Sequence, residues 1–278
     1  MHSALGRIAP ALAAIALAVG ALAVLMALAA APALAQQSPY ADYQRMTAEN
    51  APTELYELEG EELWKKRQGP KNASLEKCDL GQGPGVLKGA YAALPRYFAD
   101  ADRVMDLETR LVHCMMTLQG RGREEAAKRV FGNEDRASEF EALSAYIARE
   151  SHGMKIAARL SHPKERESYA LGRSLFYHRA GPWDFSCASC HGEEGKRIRM
   201  SDLPKLSDPK YAGPLIATWP AYRVSTSKIV TLQWRMNDCY RQMRMPEPAF
   251  GSDVTVALIH FMTATSDGET YRGPAIKR

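Results

Sequence analysis

Three residues within a span of five could do chemistry together. Cys187, Cys190 and His191 form the pattern C-x-x-C-H. Thiols at this spacing add across the two vinyl groups of a porphyrin, and the adjoining imidazole supplies a nitrogen to the iron. The pattern predicts one covalently bound haem c, attached through Cys187 and Cys190, with His191 as an axial ligand of the haem iron. A structural zinc site would need a second C-x-x-C or a His pair to complete it, and none is found. A thioredoxin-like redox pair would need a βαβ setting, and none is visible.

The opposite axial ligand decides what such a haem does. The segment from Ser227 to Arg244 reads as a helix, with Leu232, Arg235, Met236, Cys239 and Met243 recurring at three- and four-residue steps. Met245 and Pro246 follow its end. Cys239, Met243 and Met245 all lie at a fitting separation from His191. Spacing alone favours Met, the common ligand of electron carriers, and leaves Cys239 as a core thiol. Arg235 shifts the weight, because it stands one helical turn before Cys239. A guanidinium favours a neighbouring thiolate and binds oxyanions through two parallel hydrogen bonds. That pair suits an enzyme acting on a sulfur oxyanion. Its bland alternative is neutralisation of a haem propionate by Arg235.

The elements that position these residues occur twice. Gly172, Leu175, Arg179, Gly181, Pro182 and Cys190 are echoed at one register by Gly60, Leu63, Arg67, Gly69, Pro70 and Cys78. An aromatic follows the Leu in both copies, Phe176 and Trp64. Further along, Leu107, Arg110 and Cys114 repeat the spacing of Leu232, Arg235 and Cys239. An internal duplication accounts for this. In the first copy Leu75 stands in place of Cys187 and Asp79 in place of His191, so that copy holds no haem. Cys78 and Cys114 are then free to approach and form a disulfide, the alternative being two separate buried thiols. Cys239 is left as the odd cysteine, a reactive thiol or an intermolecular partner.

The compartment agrees with these assignments. Residues 1–35 read as a secretory signal, with Arg7 before a long Ala/Leu/Val run and Ala33, Leu34 and Ala35 forming a small-residue cleavage site. Haem c is attached outside the cytoplasmic membrane, so a periplasmic location is expected. A formal net charge of +4 over 278 residues is too mild to argue for nucleic acid, and suits a small anionic substrate or an acidic partner patch. Lys196, Arg197 and Arg199 follow the haem motif and either extend a positive funnel or form a solvated surface. Helices are expected at Thr53–Lys66, Val104–Leu118, Arg136–Arg149, Pro163–Arg179, Lys228–Met243 and Asp253–Thr265, with no alternating strand run. His113, His152, His162, His178 and His260 stand outside any motif and read as surface or satisfied side chains. The fold expected is all-α: two tandem class I cytochrome c-like domains at 36–150 and 151–278, the N-terminal one without haem. Their boundary falls in the polar stretch from Ser151 to His162.

The C-x-x-C-H motif with Gly192, together with the run from Arg235 to Arg244, resembles the SoxA family of thiosulfate-oxidising cytochromes, and the resemblance covers essentially the whole mature chain. It implies the single-haem type, in which a Cys78–Cys114 disulfide replaces the first haem. It implies His191 and Cys239 as the axial ligands, with Cys239 and Arg235 catalytic. The implied activity is that of an L-cysteine S-thiosulfotransferase, coupling thiosulfate to a cysteine of a SoxYZ-like carrier protein. Electrons would pass through haem to a SoxX-like monohaem cytochrome c, bound as a heterodimer. The rival reading is a simple c-type electron-transfer cytochrome with no chemistry of its own.

Overall fold

Glycine marks the place where helices meet in each half. Helix α1, Thr53–Lys65, crosses helix α4, Phe140–Arg149, at Gly60. A Cβ on Gly60 would overlap the carbonyl oxygen of Ala142. Helix α5, Pro163–Tyr177, crosses helix α9, Asp253–Thr265, at Gly172. There a Cβ would overlap the carbonyl oxygen of Ala257. Only a residue without a side chain allows this approach of backbone to backbone.

The computed structural model describes residues 52–131, 139–198 and 201–277. The signal segment at 1–35, Arg136 and Arg199 lie outside the described residues. Between the crossing helices run α2, Leu107–Thr117, and α3, Arg123–Phe131, in the first half. The second half has α6, Cys187–His191; α7, Pro209–Ile216; and α8, Leu232–Gln242.

The halves repeat each other in detail. Gln68 bridges Ala73 as Ala180 bridges Phe185. Within these loops Gly69 and Gly181 adopt φ of 72° and 75°, and Asn72 and Asp184 adopt 45° and 51°. Strands β1, Arg96–Phe98, and β2, Arg103–Met105, form an antiparallel hairpin that leads into α2. Strands β5, Ala221–Arg223, and β6, Lys228–Val230, form the matching hairpin before α8. Asp106 caps α2 and Thr231 caps α8 in the same way, each side chain accepting from a backbone N–H three residues on.

The expectation of an all-α fold is corrected by these strands. A third antiparallel pair joins β3, Arg197–Ile198, to β4, Ser201–Asp202. Strand β7, Ala275–Lys277, adds in parallel to β5, giving the order β6-β5-β7. Strands of two or three residues are too short for an alternating pattern to register. They also shorten two expected helices: Val104 and Met105 belong to β2, and Lys228 to Val230 belong to β6.

Two large apolar cores result among the described residues, beside a small cluster of Trp219, Ala221 and Val230. The first gathers Trp64, Leu75, Cys78, Leu111, Cys114 and Ile147. The second gathers Phe176, Ile216, Leu258, Phe261 and Tyr271. The stretch from Ser151 to His162 is no loose linker. Ile156 N–H donates to Glu269 O at 2.8 Å, and Ala157 N–H to Ala92 O at 2.9 Å, so it is stitched to both halves.

Candidate haem site

Helix α6 is a single capped turn. Ser186 accepts from Ser189 N–H at 3.2 Å, and Ser189 Oγ accepts from Ser186 N–H at 3.0 Å. This reciprocal box fixes the short helix that carries both thiols and the imidazole. Cys187, Cys190 and His191 are half-buried. His191 Nδ1 lies 2.8 Å from the carbonyl oxygen of Pro204. A carbonyl only accepts, so Nδ1 carries the proton and Nε2 keeps its lone pair. Burial lowers the His191 pKa, which the positive charge of Arg235 reinforces against the Pro204 hydrogen bond. A neutral imidazole pinned at Nδ1 is the form that ligates a metal. The donor set therefore fits haem c: two thiols for the thioethers and one oriented nitrogen for iron.

Helix α8 brings the remaining residues to the same place. Cys239 is half-buried, and its charged form would interact with those of Cys187 and Cys190. Burial raises the Cys239 pKa, with Asp238 adding to it, while Arg235 and Arg223 pull it down. Burial is also the main cause that pushes the Cys187 thiol up to about 12. Arg235 Nη1 donates to Asp238 Oδ2 at 2.6 Å on its own helix. Leu232, Met236 and Met243 pack on the second core, while the fully buried positions of α8 are Gln233, Asn237 and Tyr240.

The structure thus brings Cys187, Cys190, His191, Arg235 and Cys239 together. It joins Cys78 to Cys114 in a disulfide with 5.6 Å between Cα atoms, far from this site in sequence and inside the first core. The residues standing where a haem ligand set would be are otherwise engaged. Leu75 is buried, and Asp79 Oδ1 accepts from Gly81 N–H at 2.6 Å and Gly83 N–H at 3.0 Å. Lys196 pairs with Glu193 and Arg197 with Asp202, so these two basic residues are locally neutralised. Among the unassigned histidines, His162 caps α5 and stacks on Tyr97, His260 Nε2 meets Arg159 O, and His113 meets Asp100.

Sequence reading missed Pro204, Arg223 and Asp238 at the site, and Lys277 beside Arg223 in the sheet. Extending the repeat upstream of Arg235 would have marked Arg223, because it occupies the position of Phe98 in the first copy.

Fold and site together define a c-type cytochrome. Residues 59–156 match the family model "SoxA/TsdA, cytochrome c domain", a match that falls mostly on the half without C-x-x-C-H. The chain is 48% identical over 237 residues to the L-cysteine S-thiosulfotransferase subunit SoxA of Hydrogenophilus thermoluteolus, covering 85% of this chain and 86% of that relative. It is 38% identical to a protein of the same name from Hydrogenobacter thermophilus, covering 82% of each. Its fold matches the crystal structure of SoxXA from P. pantotrophus with a TM-score of 0.69 at 23% identity, over 85% of this chain and 84% of that one. The chain belongs to the SoxA family and binds haem c.

Proposed function

We propose that this chain is the catalytic subunit of a periplasmic L-cysteine S-thiosulfotransferase. It carries one haem c, bound in the domain 151–278 through Cys187 and Cys190 and ligated by His191 and Cys239. The domain 36–150 is a degenerate cytochrome c-like copy stapled by Cys78–Cys114. The observation that carries this reading is the convergence of Arg235 and Cys239 on the C-x-x-C-H helix. A plain electron carrier has no use for an arginine and a thiol there, whereas sulfur oxyanion chemistry uses both.

The reaction joins two sulfur nucleophiles, so it needs an oxidant. The outer sulfur of thiosulfate bonds to the cysteine sulfur of a SoxYZ-like carrier, the thiol proton goes to solvent, and two electrons leave. A haem held by Cys187, Cys190 and His191 would supply the oxidising capacity, and a SoxX-like monohaem cytochrome c would accept the two electrons. Arg235 orients the sulfonate end of thiosulfate and offsets its charge through parallel N–H···O bonds. Cys239 would place its sulfur next to the oxyanion held by Arg235. His191, fixed by Pro204, keeps its imidazole neutral and aimed.

The Cys239→Ala variant, assayed with partner and carrier, is expected to lose thiosulfate conjugation while intact mass still shows one haem per chain. Full turnover by that variant would end the role of Cys239, and a mass of two haems would end the single-haem assignment.

A further inference from the structure

The first half serves as an internal control for the second. Arg110 and Arg235 occupy equivalent turns of α2 and α8. Arg110 is clamped from two sides. Both oxygens of Asp100 meet its Nη1 at 2.8 and 2.9 Å, and the Phe98 ring lies 4.1 Å beneath its guanidinium. Its Nε donates to Asp79 O at 2.6 Å, and its side chain is 4% exposed. In the second half both clamps are exchanged. Ser225 stands in place of Asp100, and Arg223 in place of Phe98. A carboxylate and an aromatic floor have given way to a hydroxyl and a second cation.

That exchange is costly on its own. Arg223 pairs in register with Lys277 on β7 and with Lys228 on β6, so three cations stand abreast in one sheet. Like charges at paired positions destabilise a sheet. Lys228 is matched by Glu141 at 3.1 Å. Lys277 has no ion pair among the described residues and lies over the Trp219 ring. Asp238 is 2.6 Å from Arg235 but 3.9 Å from Arg223, and it also accepts from Gln242 at 2.9 Å. Arg223 Nε is buried and has no hydrogen-bond partner. Arg223 and Arg235 therefore share one carboxylate at the edge of Cys239, Lys277 adds an unmatched cation beside Arg223 in the sheet, and a dianion would balance the excess.

We infer that Arg223 and Lys277 complete, with Arg235, an anchor for the doubly charged sulfur oxyanion that reacts at Cys239. The inference rests on the proposed function and adds two residues to its substrate site. Arg223 contributes its free Nε–H directly. Lys277 contributes a point charge from the sheet edge. Together they select a dianion over a monoanion of similar size.

Calorimetric titration of the haem-loaded protein with thiosulfate and with sulfate, at low ionic strength, tests the anchor. Arg223→Gln is expected to weaken both by about tenfold, as for loss of one charge-assisted hydrogen bond. Lys277→Gln is expected to weaken both several-fold and Lys277→Arg to restore them. In turnover, KM should rise more than kcat falls. Burial and Arg223 lower Lys277 to about 8, so wild-type affinity should fade as pH rises through that value while Lys277→Arg holds. A merely structural role would leave that pH profile unmoved. Affinities within twofold of wild type in folded Arg223→Gln and Lys277→Gln overturn the anchor. Should Arg223→Gln fail to fold, Lys277→Gln and its Arg rescue decide alone. A wild type that binds thiosulfate without conjugating it sinks the enzymatic reading and leaves the anchor standing.

Discussion

The same side chain does different work according to what surrounds it, and Arg110 and Arg235 show this within one chain. Arg110 spends its donors on Asp100 and Asp79 O and its face on Phe98. At 4% exposure the side chain is closed to a ligand. Arg235 has one carboxylate, Asp238, and a side chain 31% exposed. Hydrogen bonds to charged groups contribute about 1.5–3 kcal/mol each, and a buried partner left unpaired adds to the loss. Arg110→Gln should therefore lower unfolding stability by about 2–4 kcal/mol with thiosulfate KM unchanged. Arg235→Gln should do the reverse, moving stability by less than about 0.5 kcal/mol and raising KM. Denaturant titration beside steady-state kinetics separates the two. Equal effects on stability would show that the repeat has not divided the labour.

At the scale of elements, much was legible because duplication prints the same spacing twice. The matched Gly, Pro and Cys positions located both loops, and the helices Thr53–Lys65 and Asp253–Thr265 fall where periodicity put them. The partnership of Cys78 and Cys114 followed from the loss of the ligand set around Leu75 and Asp79. The strands were not legible, since three residues carry no period. Arg223 and Lys277 were missed for a related reason. They meet across a parallel β5–β7 pairing between segments distant in sequence. The role of Gly172 was also invisible until α5 and α9 were seen to cross. Alanine there gains about 1 kcal/mol of helix propensity but forces a Cβ into the Ala257 carbonyl. Backbone gives way poorly, and overpacking costs about 1–3 kcal/mol. Gly172→Ala is thus expected to be destabilising, by up to about 2 kcal/mol, despite its better propensity. An unchanged denaturation midpoint would mean that the helices separate freely.

Across the whole molecule, the two cores are joined by a buried polar seam where the α2 and α8 caps meet. Asp106, which caps α2, accepts from Gln233 Nε2 of α8 at 2.6 Å. Gln233 Oε1 in turn accepts from Gly251 N–H at 2.8 Å. Glu108 belongs to this seam, 5% exposed and beside Thr231, the α8 cap. It lines a cavity of about 40 Å³ with Tyr91, Leu232, Ile259 and Tyr271. Burial holds its pKa well above the ordinary 4.5, with the Asp106 charge adding to the effect and the Thr231 hydrogen bond opposing it. Above pH 4.5 the folded chain thus keeps a proton that the unfolded chain releases. Stability tied to Glu108 is complete below that pH and drains away as pH rises through the folded value. Gln mimics the protonated acid without titrating. Glu108→Gln should therefore flatten the decline of unfolding free energy with pH and leave the variant at least as stable as wild type at neutral pH. Denaturant titrations across a pH series measure both quantities. Parallel slopes for the two proteins would show that Glu108 is ionised within the seam.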